Sequence, residues 1–181
     1  EIRWLEDHSV IRLAPDPTFQ PFEFFDDGGS FRGIAADYMQ LLEKKLGLRI
    51  ETVQLKDWPE VLDHIKAGKI DMISSVMKTE ERAEYLNFSR PYLKFPYVII
   101  TRHENQQKLV LHKLEGKKVA AVAKYAIKAH LEIAHQKQNH VPVVAQGERQ
   151  RCNSFRTYDV FVYNIAYYAA YLHRAGISNL Y

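Results

Sequence analysis

Residues Gly68–Arg82 read G-K-I-D-M-I-S-S-V-M-K-T-E-E-R. A glycine is followed by a short apolar run, Ile70–Val76, with two serines inside it, and then by Thr79 ahead of two acids and an arginine. The run predicts a strand, and Thr79 predicts the cap of a helix that starts straight after it. Strand feeding directly into helix is the unit from which parallel α/β sheets are assembled.

Working upstream, the same unit recurs. Val10–Ala14 alternates apolar and polar residues as a strand does, and Pro15 and Pro17 stop it. Phe22–Phe25 resumes a strand, and Asp26-Asp27-Gly28-Gly29 signals a turn. Ile34, Tyr38, Leu41, Leu42 and Leu46 share one face of a predicted helix that Gly47 ends. Leu48–Leu55 reads as a strand. Trp58, Val61, Leu62 and Ile65 give a second amphipathic helix, closed by Gly68. The first hundred residues therefore run β-α-β-α-β-α, which implies a parallel sheet with right-handed crossovers.

Downstream, Pro91–Thr101 is extended and aromatic, and then the pattern restarts. Strands are predicted at Lys118–Val122, Val141–Ala145 and Asp159–Tyr163, and helices at Tyr125–Ala134 and Ile165–Ala175, the last stopped by Gly176. The expectation is an α/β chain of two lobes with a central cleft. Lobe one would span residues 1–98 and lobe two 99–181, joined by an extended hinge near 96–102.

Composition narrows the function. The formal charge of +3 is small and spread along the chain, so nucleic acid is a poor partner despite an isoelectric point near 8.9. A single cysteine, Cys152, excludes an internal disulfide and any cysteine-based zinc site. The eight histidines show no metal-ligand spacing; His130 and His135 are five apart and miss a common helical face. Gly28-Gly29 belongs to a turn, and there is no phosphate-binding glycine loop. No cofactor and no metal are expected. The longest apolar run, around Tyr97–Ile100, is too short to cross a bilayer. The chain opens on Glu1 with neither a methionine nor a signal peptide, so it is expected to be a segment of something longer, with any anchor outside it.

The chemistry is expected at the opening stretch. A strand end that feeds a helix presents main-chain N–H groups and the positive end of the helix dipole. Ser74 and Ser75 add hydroxyl donors, and Arg82 adds a guanidinium fork matched to a carboxylate. The competing reading makes Arg82 a surface residue paired with Glu80 or Glu84.

The chain also resembles a known family, the periplasmic solute-binding proteins of the polar amino-acid receptor type. It is most similar to the Venus-flytrap sensor domains of membrane histidine kinases and diguanylate cyclases. The resemblance is carried by Trp4–Asp16, Phe19–Phe24, Gly33–Leu48, Gly68–Arg82, Tyr85–Tyr92, Leu114–Ala120 and Gly176–Leu180, in order and at the family's spacing. It implies the two-lobed periplasmic-binding-protein fold of type II. In that fold the chain crosses back to lobe one and adds a strand and a helix; this sequence is expected to stop at Tyr181 before that return. The stretch Glu148–Tyr158 departs from the family, with Arg156 where a glycine is usual.

By resemblance Arg82 would bind a ligand carboxylate, Phe19 would stack over the ligand, and Asp16 would meet a cationic group. Asp16 is equally read as the cap of the Pro15–Pro17 turn. Trp58 matches a second aromatic wall, with core packing as its rival. Met77 stands where the receptors often carry a serine. In lobe two, Lys124-Tyr125-Ala126 replaces a glycine-serine-threonine turn, and Asn164 replaces the acid that meets a ligand ammonium. Tyr125 and Asn164 remain the candidate contacts there, and an organic acid fits them as well as an amino acid does.

The function implied is an extracytoplasmic, periplasmic sensor domain for a small carboxylate-bearing molecule, signalling by lobe closure within a membrane-anchored parent chain. The alternatives are a free-standing amino-acid or organic-acid transport receptor, a cyclohexadienyl-dehydratase-like enzyme using Asp16 or Asp159, and a lobe pair that signals without a ligand. Without the return strand, lobe one would keep an open edge, and a homodimer through that edge is a further expectation.

Overall fold

The computed structural model describes residues 8–101, 109–110, 114, 116–122, 125–127, 131, 143–146, 160–164 and 166. The described residues divide into two compact units, with the boundary between Asn87 and Phe88.

In the first unit, β1 (Val10–Leu13) pairs in parallel with β5 (Arg49–Thr52), Ile11 opposite Ile50 and Leu13 opposite Thr52. Between them lie β2 (Thr18–Phe19), β3 (Glu23–Phe25) and β4 (Phe31–Arg32), which form a small antiparallel sheet, and then helix α1 (Ile34–Leu46). The expected turn after β3 is present. The Asp26 carboxylate accepts the main-chain N–H groups of Gly28 and Ser30, and Arg32 bridges to it at 2.7 Å. Those partners hold the Asp26 carboxyl below its usual range, the Arg32 hydrogen bond first.

Gly47 takes the left-handed conformation that ends α1, as expected. The face α1 buries differs from the one read from periodicity. Ala35, Ala36 and Met39 are buried, whereas Tyr38, Leu41 and Leu46 are 38–58% exposed. The reason is close approach. Ile34 and Ala35 donate their N–H groups to the carbonyls of Pro21 and Phe22, which brings the first turn, with its alanines, against that backbone.

Helix α2 (Trp58–Lys66) buries Trp58, Val61 and Leu62. Its cap is Asp57, whose carboxylate accepts the N–H of Glu60 at 3.0 Å, while Glu60 reaches back to the N–H of Lys56 at 2.7 Å. Asp57→Ala should lower stability by about 1 kcal/mol in urea unfolding. No change in the midpoint would remove that bond from any role in stability.

The predicted strand at Ile70–Val76 is shorter than expected. It reduces to a single parallel bridge between Leu13 and Met72, continued by the Ala14 N–H to the Met72 carbonyl. The chain bends at Ser74 and Ser75, whose hydroxyls are engaged elsewhere. Arg12 clamps this crossing. Its guanidinium meets both Asp71 carboxylate oxygens, at 2.8 and 2.7 Å, and also the Gly68 carbonyl. The pairing lowers the Asp71 pKa.

In the second unit a mixed sheet runs in the order β6-β9-β7-β8. Its strands are β6 (Tyr97–Thr101), β7 (Val119–Val122), β8 (Val143–Gln146) and β9 (Val160–Asn164). The pairings of β7 with β8 and β9 are parallel, and β6 lies antiparallel to β9. Leu114, Val119, Ala121, Ile127, Leu131, Val160 and Val162 form its core. In the predicted Tyr125–Ala134 helix, Ala126, Ile127 and Leu131 are helical and Tyr125 precedes the helix; Ala166 is helical in the predicted Ile165–Ala175 helix; the other residues of both lie outside those described. So do Cys152, Arg156, Asp159, Lys124, His130 and His135.

Candidate anion site at the Ser74–Arg82 junction

The site is built in the first unit, where the loop after β1 meets the bend after Met72. Beyond β1 the chain runs buried through Ala14, Pro15 and Asp16. Asp16 is 3% exposed, and its carboxylate accepts the Thr18 N–H at 3.0 Å and the Thr18 hydroxyl at 3.4 Å. This is the turn-capping role that the sequence left open beside a ligand contact. Phe19 is half-buried, its ring 4.8 Å from that of Phe22.

Beneath this loop stands a carboxyl that the sequence reading passed over. Glu23, at the start of β3, is completely buried. One carboxyl oxygen accepts the Asp16 N–H at 2.9 Å, and the other accepts the Ser74 hydroxyl. Ser75 also hydrogen-bonds to it through its side chain. Loss of hydration on burial pushes Glu23 up to about 8, with the charge of Asp16 adding to it, against the opposing pull of those hydrogen bonds. The signal for Glu23 was an acid enclosed by phenylalanines, Phe22-Glu23-Phe24-Phe25, in a strand beside the Asp16 turn. Alternation alone does not flag it, because an acid in a strand is ordinarily taken to face water.

Ser74 is 7% exposed, so both hydroxyl and backbone sit within the fold rather than on its surface. Past it, Thr79 caps α3 (Glu80–Ala83), its hydroxyl accepting the Arg82 N–H at 3.2 Å. The cap is as expected, but the helix is a single turn. Its dipole is therefore too small to hold an anion, and the junction depends on side chains instead. Arg82 is 6% exposed and is no surface residue. Its guanidinium donates to the Met77 carbonyl at 2.9 Å and lies over the Trp58 ring at 5.5 Å. Met77 thus contributes its backbone here, and its side chain is largely exposed. Trp58 is buried with Val61 and Leu62, as core packing requires, and its ring also backs Arg82.

Asp16, Phe19, Trp58, Ser74, Ser75 and Arg82 all belong to the first unit. Tyr125 and Asn164 belong to the second. Tyr125 is half-buried against the core of its own unit. Asn164 closes β9 with its backbone opposite Tyr97; its side chain lies outside what is described. Among the described residues no group of three histidine, cysteine, aspartate or glutamate side chains is placed to hold a metal, and no helix is long and apolar enough to cross a membrane.

Residues 11–159 match the family of bacterial extracellular solute-binding proteins, family 3. The chain belongs to that family. As a family 3 protein it is similar to the virulence sensor protein BvgS of Bordetella pertussis, 33% identical over 122 residues, 67% of this chain and 10% of the relative. It also resembles the probable histidine-binding protein of Campylobacter jejuni, 30% identical over 61% of this chain and 43% of that one. The chain therefore spans only a tenth of the length of its sensor relatives and under half of that binding protein. Among solved structures, the periplasmic VFT2 domain of Bordetella pertussis BvgS superposes with a TM-score of 0.80 at 26% identity, over 96% of this chain and 74% of that one. An ancestral arginine-binding protein bound to arginine gives 0.78 at 25%, over 93% and 76%. The fold is accordingly that of the two-lobed periplasmic-binding proteins, as the resemblance implied.

Proposed function

We propose that this family 3 chain is the periplasmic ligand-binding domain of a membrane-anchored sensor, and that the Ser74–Arg82 junction holds the carboxylate of a small ligand. The observation that carries this is Arg82, a cation 6% exposed on the same bend as the buried Ser74 hydroxyl. A carbonyl and an aromatic face orient the guanidinium, whose five donors serve more than one acceptor. Carboxylates meet such a fork in two parallel hydrogen bonds. Asp16, Phe19 and Trp58 are proposed to wall the ligand in the first lobe, and Tyr125 and Asn164 to meet it from the second. Closure about the segment near 96–102, between lobes 1–98 and 99–181, would carry the signal by shifting an open–closed population.

A thermal-shift screen of amino acids and organic acids tests the site. A true ligand raises Tm with concentration, by the equivalent of about 2.7 kcal/mol at a hundredfold excess over Kd. Arg82→Ala should abolish the shift, and Arg82→Lys should retain a fraction of it, because an ammonium keeps the charge but loses the fork. A shift that survives intact in Arg82→Ala would overturn the carboxylate reading.

The likeness to a probable histidine-binding protein favours a second reading, a free-standing transport receptor. The coding sequence downstream separates the two. A membrane span followed by a signalling domain supports the sensor, and a stop codon directly after this domain overturns it.

A further inference from the structure

The anion site contains its own antagonist, a carboxyl enclosed beneath the residue that would donate to the ligand. Glu23 has no exposed surface, and its carboxyl is held by directional hydrogen bonds from two segments. From the loop after β1 it receives the Asp16 N–H, and from the bend after Met72 it receives the hydroxyl of Ser74 and a side-chain bond from Ser75. Among the described residues, Asp16 is the charged group acting on it, and the Asp16 carboxylate is turned to Thr18; the bend faces it with uncharged hydroxyls. Arg82, at the far end of the bend, directs its guanidinium to Met77 and Trp58.

We propose that Glu23 is a positioning residue that couples anion binding to proton uptake, by setting the direction in which Ser74 donates its hydroxyl hydrogen. This rests on the reading of Ser74–Arg82 as a carboxylate site. An ionised carboxylate has acceptors only, so it draws the Ser74 hydrogen inward. A protonated Glu23 carries a donor of its own and gives it to the Ser74 oxygen. The Ser74 hydrogen is then donated away from Glu23, toward the junction where the ligand carboxylate would lie. No covalent bond changes. One proton enters Glu23 from solvent and one hydroxyl rotates.

Charge acts in the same sense. A second anion close to an ionised, buried Glu23 is repelled, whereas a neutral Glu23 admits it. Burial holds Glu23 at about 8, so it is neutral in neutral solution and gives up its proton just above. Affinity for an anion should therefore be level at mildly acidic and neutral pH and fall as the pH climbs past that value, by about tenfold at pH 9.

The test uses the whole 181-residue chain and three probes that stay ionised from pH 6.5 to 9: acetate, formate and benzoate. Dissociation constants are measured by calorimetry at both ends of that range for the wild type, Glu23→Gln and Arg82→Ala. Glutamine imitates the protonated state, accepting the Asp16 N–H through its oxygen and donating to Ser74 through its amide. The expected result is binding that needs Arg82, weakens about tenfold by pH 9 in the wild type, and is the same at both pH values in Glu23→Gln. Arg82-dependent binding with a level wild-type profile, or an equal fall in Glu23→Gln, overturns the proton switch and leaves the carboxylate site standing. If none of the three probes binds the wild type at pH 6.5, the carboxylate reading falls and the switch falls with it.

Discussion

Glu23→Gln should be more stable than the wild type by about 4–5 kcal/mol at pH 9, and equal to it within about 1 kcal/mol at pH 4. The sign follows from where the proton is held. Burial raises Glu23 from 4.5 in the unfolded chain to about 8 in the native protein. The native state therefore keeps a proton that the unfolded state has already released. Stability from this group is fully present below pH 4.5 and is lost as the pH rises through 8. Glutamine cannot ionise, so it removes the whole slope while preserving the bonds to Asp16 and Ser74. The opposite trend from Asp71 and Asp26, whose values are lowered by Arg12 and Arg32, appears only as the pH falls below the usual carboxylate range. It is common to both proteins and cancels in the comparison. Urea midpoints from pH 4 to 9 measure the difference directly. Parallel curves would show that Glu23 titrates alike in the native and unfolded chain, and the proton switch would fail with it.

The second large effect concerns Gly33, the residue that brings α1 against the strand carrying Glu23. Gly33→Ala should cost about 3–5 kcal/mol. Two terms add. Its backbone has φ +108° and ψ 179°, a region that side-chain-bearing residues avoid. A Cβ there would also lie 2.5 Å from the Phe22 carbonyl oxygen and 2.8 Å from that of Pro21, and both are main-chain atoms that cannot turn aside. Gly47→Ala is the matched control. Its φ is +65°, but nothing lies within 4 Å of the added carbon, so only about 1 kcal/mol is expected. Equal losses in the two variants would disprove the close approach at Phe22. Because the helix N–H groups bond to Pro21 and Phe22, Gly33→Ala should also displace Glu23 and weaken any Arg82-dependent binding.

Much of the architecture was legible in the sequence because its signals are local. Gly47 and Gly68 adopt positive φ where they were read as helix ends, and Asp26 folds over the turn that Asp27, Gly28 and Gly29 announce. Thr79 caps the turn that follows it. Each of these depends on a few neighbouring residues and one main-chain bond. Reading a helix face was less secure. The apolar stripe through Tyr38, Leu41 and Leu46 looked like the buried side of α1, but the alanines were buried, because the contact required closeness more than apolar area.

Of the candidate site, the sequence by itself determined the inventory: two serines and an arginine after an apolar run, an aspartate in a proline turn, and the family those motifs belong to. Tertiary structure alone decided how they act. It reduced the expected strand to one bridge at Met72 and the expected helix to one turn, and it set Arg82 in the interior, against the competing surface reading. It also set Glu23 under Ser74, a partner 51 residues away. The physical reason is range. Caps and turns are settled by bonds within a few residues, whereas hydration, and with it the protonation of a carboxyl, is settled by whatever distant segments close over it.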